Sequence, residues 1–184
     1  MEVLATWFII ALMNSKIDKE KLRKECLKNA EDLLEESKLL FSKQKYSRAT
    51  TLAITSYEES LKAGLVGSLQ NGHVTMQEFK RICFRHELKY LLKYAVIRAK
   101  IYANEEKIEF GLLLPSNRKE DAKEIFDIRN NSLYVGFSNK DIGAPKKTIG
   151  VHQAIKYIKM AQKQFEWEEM VESLKERIKK EIDP

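Results

Sequence analysis

The sequence predicts an all-α fold, namely an antiparallel bundle of four main helices with one additional short helix. Two observations lead to this prediction. Only 3 prolines and 7 glycines occur in the 184 residues, and apolar residues recur mostly at intervals of three and four, which is the spacing of one helix face. A chain of this length fits a single domain, which we assign to residues 14–184.

The first two predicted helices carry the clearest apolar patterns. Asp18 can cap a first helix that continues to about Lys43. A second helix runs from about Tyr46 to Leu69 and is apolar on most of its sides, which predicts a central position in the bundle. Small residues along one side would let a neighbouring helix approach closely: Ala49, Ala53, Ser56, Ser60, Ala63 and Gly64.

A third helix is predicted after the turn at residues 71–72, from about Thr75 to beyond Ala103. Apolar residues recur on one face of this stretch, and His86 falls on that face. Residues 105–115 have two readings that stay open. The segment could extend the third helix, yet three of its apolar residues alternate as in a strand: Ile108, Phe110 and Leu112.

The rest of the chain is predicted as a short helix, a loop and a long helix. The short helix starts at residue 116 or 117 and ends at residue 129 or 130, where an Asn-Ser pair signals a break. Thr148 then caps a last helix that reaches about Ile182. Residues 134–147 should form a loop, because three of them oppose regular structure: Gly136, Gly143 and Pro145.

The charge balance allows a polyanionic partner without requiring one. The chain has 33 Lys and Arg against 27 Asp and Glu, a formal net charge of +6, which mildly favours nucleic acid. Cys26 and Cys83 both fall on predicted helix stripes. We therefore expect reduced, packed thiols in a cytoplasmic protein rather than a disulfide.

The start of the chain is apolar, and we interpret residues 1–13 as an N-terminal extension. No basic residue precedes the apolar run, and the run is shorter than the ~20 residues needed to cross a bilayer. Neither a signal peptide nor a membrane helix is therefore expected. Two readings of the extension stay open: added reading frame, or an extra helix packed against a partner chain.

Several classes of enzyme are excluded by missing motifs. The sequence has no P-loop, no dinucleotide-binding glycine fingerprint, no nucleophile elbow and no Cys-x-x-Cys pair. Its three histidines, His73, His86 and His152, lie far apart, and none has the spacing of a helical metal site. We therefore expect neither a metal centre nor a cofactor.

Polar candidates remain on stretches that a bundle should bury. They form three sets: Glu59 with Lys62, His86 with Lys89, and Arg129 with Asn130 and Tyr134. Burying unpaired charge costs several kcal/mol, so such groups should pair with one another or reach the end of the bundle. We therefore expect Glu59, His86 and Arg129 to converge in one polar pocket. Each set also has a structural explanation, as an exposed ion pair, a core histidine or a helix-terminal arginine.

Three blocks of this sequence resemble the AbiV family of abortive infection proteins, which belongs to the HEPN superfamily of helical nucleic-acid-processing domains. They are residues 58–63 in the second predicted helix, residues 86–89 in the third and residues 128–135 at the end of the fourth. The resemblance implies a HEPN-like bundle that acts in phage defence on RNA. For HEPN domains generally it implies a homodimeric, metal-independent endoribonuclease.

The HEPN signature is an arginine followed by a polar residue, with a histidine separated from the arginine by four to six intervening residues. Arg129 and Asn130 match its first half, whereas the window that follows contains Tyr134 and no histidine. Our hypothesis is that His86 replaces the missing histidine as general acid or base, because imidazole changes charge near neutral pH.

In this hypothesis the other candidates bind or orient the substrate. Arg129 holds the scissile phosphate and Asn130 orients it, beside Tyr134. Lys62 or Lys89 adds positive charge, and Glu59 orients a partner. The alternative function is a non-catalytic helical interaction module, which blocks translation or binds a phage or host protein.

Overall fold

We analysed a computed structural model, which describes residues 18–92, 96–102, 107–113, 119–134, 136–138, 141–143 and 149–182. The predicted helical bundle is confirmed, and two short β-hairpins accompany the helices. The predicted extension at residues 1–13 and the predicted cap Thr148 lie outside the described residues. The elements are α1 Lys19–Ser42, α2 Tyr46–Gln70, α3 Met76–Cys83, α4 His86–Leu91, β1 Val96–Tyr102, β2 Lys107–Leu113, α5 Lys119–Leu133, β3 Gly136–Ser138, β4 Asp141–Gly143 and α6 Val151–Ile182.

Helices α1 and α2 form an antiparallel pair, close to their predicted bounds. Asp18 caps α1 as predicted, because its carboxylate accepts a hydrogen bond from the Lys21 N–H at 3.0 Å. Small residues bring the two helices close together, as predicted. The Ser37 hydroxyl donates to the Ala49 carbonyl at 2.7 Å, and the Ser56 hydroxyl donates to the Ala30 carbonyl at 2.6 Å.

Helix α2 occupies the predicted central position, since it contacts α1, α3, α4, α5 and α6. Its apolar side chains join those of its neighbours in the larger of the two core clusters that the described residues form. The helix therefore supplies both the centre of the core and the platform on which α4 and α5 pack. The buried members of this cluster are Ala30, Leu34, Ala53, Ile54, Tyr57, Leu61, Tyr90, Leu91, Ala122, Tyr157, Ala161 and Phe165.

The prediction of one long third helix is wrong. Thr75 does start a helix, through a capping box with Glu78, but α3 ends at Cys83 and α4 begins only at His86. Strand β1 then occupies the stretch that was predicted to continue the helix. Apolar residues four positions apart in that stretch fit a helix face and an alternating strand equally, so their spacing could not distinguish the two.

Two hairpins involve segments whose secondary structure was either left open or predicted incorrectly from the sequence. Strand β2 pairs antiparallel with β1, from Val96 opposite Leu113 to Tyr102 opposite Lys107, so the ambiguous segment contains a strand. The segment predicted as a loop after α5 contains the short pair β3 and β4, with Gly136 opposite Gly143. Glycines weaken a strand but do not prevent a short hairpin.

The remaining two helices extend the bundle. Helix α5 continues through the predicted break to Leu133. Helix α6 contains 32 residues and runs antiparallel to α1, because Lys38 contacts Gln162 at one end while Arg23 contacts Glu168 farther along. In the described part of the chain, no helix is both long and apolar enough to span a membrane.

Candidate functional site

The candidate site is built around the buried carboxylate of Glu58. Glu58 lies on the same stripe of α2 as the core residues Ile54 and Leu61, and its side chain is buried. Ile54, Glu58 and Leu61 lie on successive turns of one face of α2, and this face places the Glu58 carboxylate against α4 and α5. A buried carboxylate is stable only when charged or hydrogen-bonding partners surround it, and Glu58 has four such partners among the described residues.

Three of the four partners come from the short helix α4. His86 Nδ1 lies 2.7 Å from Glu58 Oε2, and Lys89 Nζ donates to the same oxygen at 3.0 Å. The Tyr90 hydroxyl donates to Oε1. Residues at helix spacings of three and four share one face, which explains why His86, Lys89 and Tyr90 all reach one carboxylate.

The fourth partner is Arg129, from α5. Its Nε lies 3.3 Å from Glu58 Oε1, and within the described residues this ion pair lacks the alignment of a hydrogen bond. Two hydroxyls fix the end of α5 on α2. Ser132 Oγ donates to the Arg129 carbonyl at 2.7 Å and is also hydrogen-bonded to Thr51 Oγ1 at 2.7 Å.

The electrostatics of the cluster keep Glu58 ionised. Burial raises the pKa of the Glu58 carboxyl. The hydrogen bonds from His86 and Tyr90 and the charge of Lys89 lower it by more than burial raises it, so the pKa is about 2. Burial and the charge of Glu58 raise the pKa of Tyr90 well above its usual value. At neutral pH the cluster therefore holds a carboxylate, a neutral phenol and at least the two cations Lys89 and Arg129.

One side of the cluster is accessible. The side chain of His86 is 40% exposed and that of Arg129 is 19% exposed, whereas that of Lys89 is only 8% exposed. The ring of Phe126 lies beside His86, with centroids 6.5 Å apart. Because Nδ1 of His86 is engaged by Glu58, Nε2 is the ring nitrogen left for a ligand. An accessible imidazole and an accessible guanidinium are thus held by the same carboxylate.

A comparison with known families identifies the chain. The family model described as AbiV matches residues 19–166, which is well over half of the chain. The chain belongs to the AbiV family of the HEPN superfamily. It is therefore an abortive-infection protein of the HEPN type, as the resemblance implied. Neither the curated proteins nor the solved structures contain a match to it.

The matched region of this AbiV-family protein contains the predicted site residues, but the glutamate that contacts His86 and Arg129 is not the predicted one. Glu58, not Glu59, meets His86 and Arg129. Glu59 instead pairs with Lys62 at 2.7 Å along α2. The two glutamates are adjacent on a helix and point about 100° apart, so only Glu58 falls on the face toward α4 and α5.

The Glu59–Lys62 pair lies near the two thiols rather than in the Glu58 cluster. Burial lowers the pKa of Lys62, but the charge and the hydrogen bond of Glu59, together with the two neighbouring thiols Cys26 and Cys83, raise it, and the net shift is upward. Burial raises the pKa of Cys26 to about 11 and that of Cys83 to about 12, with the charge of Lys62 acting in the opposite direction on both. Of the two lysines predicted to add positive charge, Lys89 contacts Glu58, whereas Lys62 pairs with Glu59 outside the cluster.

The last two predicted residues lie at the end of α5. Asn130 is half-buried beside Arg129, and its carbonyl accepts a hydrogen bond from the Tyr134 N–H at 2.9 Å. Tyr134 is 56% exposed, so its ring is accessible at the end of the helix rather than packed in the core.

Sequence reasoning missed Glu58, Tyr90 and Ser132. The spacing of Glu58 from the apolar residues on its stripe was a usable signal, since a charged residue in that register must find partners. Tyr90 and Ser132 gave no such signal, because aromatic and hydroxyl residues occur on many buried helix faces. Among the described residues, no group of three or more His, Cys, Asp or Glu side chains could hold a metal ion.

Proposed function

We propose that this AbiV-family protein cleaves RNA without a metal ion, using His86 as general acid or base and Arg129 to hold the scissile phosphate. One observation carries the proposal: a single buried carboxylate contacts His86 through Oε2 and Arg129 through Oε1. The two residues come from different helices, α4 and α5. His86 is thereby close to the arginine of the incomplete signature, where the missing histidine would be needed.

The reaction that suits these groups is attack by the ribose 2′-hydroxyl on the adjacent phosphorus. The base removes the proton from O2′, the O2′–P bond forms and the P–O5′ bond breaks, with a proton delivered to O5′. The products are a 2′,3′-cyclic phosphate and a 5′-hydroxyl. Arg129 stabilises the negative charge that develops on the phosphate oxygens.

Glu58 has a positioning role in this proposal. By engaging Nδ1 of His86 it fixes the orientation of the ring and leaves Nε2 to exchange a proton with the substrate. Tyr90 and Lys89 keep the carboxylate ionised and in place. The Nε of Arg129 is buried against Glu58, but the guanidinium side chain is partly exposed, and its accessible part is what an incoming phosphate would engage.

The residues that follow Arg129 orient the substrate. We assign to Asn130 the orientation of the phosphate, because its amide is a neutral donor and acceptor. The exposed ring of Tyr134 offers a face on which a base of single-stranded RNA can stack. RNA is thus the proposed partner, in a homodimer that works in the cytoplasm.

A second candidate function is a non-catalytic module that binds RNA or a phage or host protein. The observation in its favour is the absence of a histidine in the signature window after Arg129. In that case the Glu58 cluster would stabilise the fold and take no part in cleavage.

The test is incubation of the purified protein with total cellular RNA in EDTA. Wild type should cleave, Arg129→Ala should lose at least about 100-fold in rate, and the control Lys123→Ala, an exposed cation on the same helix, should match wild type. Intact RNA with the wild-type protein would favour the binding module. Equal cleavage by wild type and Arg129→Ala would remove Arg129 from the mechanism.

A further inference from the structure

The C-terminal half of α6 carries a row of exposed apolar side chains. Its four members are between 45% and 57% exposed. Their spacing of three, four and four residues places them on one face of the helix, over a length of about 16 Å. A contiguous apolar surface of this kind, flanked by charges, marks an interaction site. We call it the α6 stripe, and its members are Trp167, Met170, Leu174 and Ile178.

The stripe lies outside the part of the chain that the AbiV family shares. The family match ends at residue 166, immediately before Trp167. Helix α6 has 32 residues, whereas α1 and α2 have 24 and 25. The longer helix therefore has more surface than its two main neighbours can cover, and the uncovered face of its C-terminal half carries apolar side chains.

The charges along this half of α6 change sign. Residues 166–172 contain no lysine or arginine. Of their four glutamates, Glu166 and Glu169 are exposed, whereas Glu168 and Glu172 pair with Arg23. Residues 173–182 carry an excess of positive charge, with Lys175, Arg177, Lys179 and Lys180 against Glu176 and Glu181. A helix segment with one acidic and one basic end complements a second copy of itself that runs in the opposite direction.

We propose that the α6 stripe is the docking surface for a second copy of this chain, with the two α6 helices antiparallel. A two-fold axis near Glu172 would place Met170 against Leu174 of the partner subunit and Trp167 near Ile178 of the partner subunit. Two-fold symmetry repeats each contact, as in most homodimers. The apolar row is buried between the copies, and the charges form its rim.

Glu166 and Arg177 decide the direction of the pairing. Both are exposed, and they are eleven residues, or three helix turns, apart, so they lie on the same flank of the stripe. In an antiparallel pair the same flanks face each other, and Glu166 meets Arg177 of the partner subunit twice. In a parallel pair these two charges would be about 16 Å apart and largely screened.

This inference deepens the proposed function, because a homodimer is part of it, but it concerns a different surface. Neither Glu166 nor Arg177 belongs to the Glu58 cluster. The oxygen Oε1 of Glu166 accepts an exposed hydrogen bond from Gln162 at 2.7 Å within the same helix, which leaves Oε2 for the partner. The dimer proposal and the RNA-cleavage proposal are thus tested with different variants and different measurements, so that either can fail without the other.

The experiment is analytical ultracentrifugation of full-length protein over a range of concentrations up to about 100 µM, which detects dissociation constants in the micromolar range. Wild type should form a dimer. Glu166→Arg and Arg177→Glu should each raise the dimer dissociation constant by at least about tenfold, because like charges then face each other twice. The double variant with both changes should return the constant to within about threefold of wild type.

Folding and specificity are controlled separately. Far-UV circular dichroism checks that each variant is folded, and Lys159→Glu, an exposed reversal on the same helix but before the stripe, should dimerise like wild type. A monomeric wild type would overturn the proposal. So would single reversals that leave the dimer unchanged, or a double variant as weak as the singles.

Discussion

Replacing Glu58 by glutamine keeps the size of the side chain and removes its charge. Glutamine resembles a protonated glutamate. The substitution therefore removes the stabilisation that the partners of Glu58 give to its ionised form. It also leaves the ammonium of Lys89, which is buried, without its counter-charge. Both effects destabilise the folded protein, because an unpaired buried charge loses its hydration without compensation.

The magnitude follows from the pKa of Glu58. The pKa falls from 4.5 to about 2 on folding, and each pKa unit corresponds to about 1.4 kcal/mol, so ionised Glu58 contributes about 3 kcal/mol to the free energy of unfolding at pH 7. For a chain of this length that loss lowers the melting temperature by about 6–12 °C. The adjacent Glu59→Gln is the matched control. It breaks one partly exposed pair with Lys62 and should cost at most about 1 kcal/mol.

The pH dependence of stability provides a second measurement of the contribution of Glu58 to the free energy of unfolding. A carboxyl with a lowered folded-state pKa stabilises the protein above its unfolded-state pKa, and the stabilisation is lost as the pH falls toward the folded-state pKa. The difference in unfolding free energy between wild type and Glu58→Gln should therefore shrink by about 2 kcal/mol between pH 5 and pH 3.

Urea unfolding followed by circular dichroism measures both quantities. If Glu58→Gln is no less stable than Glu59→Gln at pH 7, or if its deficit does not change with pH, the assignment of Glu58 as the centre of the cluster is wrong.

Two further predictions concern other parts of the molecule. A Cβ on Gly64 would lie 2.5 Å from Oε1 of Glu168, whose carboxylate is held by Arg23, so Gly64→Ala should lower the unfolding free energy by about 1–3 kcal/mol. Gly67→Ala, with its nearest atom at 3.4 Å, should be neutral or stabilising by up to about 1 kcal/mol; equal effects in urea unfolding would contradict the close packing. The raised pKa values of Cys26 and Cys83, about 11 and 12, predict alkylation by iodoacetamide at pH 8 at least about 100-fold slower in the folded than in the unfolded chain. Mass spectrometry measures this rate, and rapid labelling of the folded protein would refute the burial of the thiols.

The helices with strong local signals were predictable from the sequence. Asp18 has the side chain of a cap, and the apolar pattern of α2 predicted both its length and its central position. The third helix was not predictable, because apolar residues at a spacing of four fit a helix face and a strand equally. The extension of α5 also depends on tertiary structure, since Ser132 hydrogen-bonds to Thr51 on another helix.

The candidate site was predictable in part for the same reason. His86, Lys89 and Arg129 were named from helical spacing and from the resemblance to the AbiV family, and the structure brings all three to one carboxylate. The choice between Glu58 and Glu59 depended on which of two adjacent positions faces α4. That face is fixed only by packing, and α4 itself exists only because the third helix is interrupted before His86.

The most direct test of the central claim is the rate of RNA cleavage in EDTA by wild type, His86→Ala and His152→Ala. His152 is an exposed histidine at the start of α6, so its loss controls for nonspecific effects of removing an imidazole. We expect His152→Ala to cleave like wild type and His86→Ala to lose at least about 100-fold, the usual contribution of a general acid or base. Undiminished cleavage by folded His86→Ala would contradict the claim that His86 completes the site of Arg129.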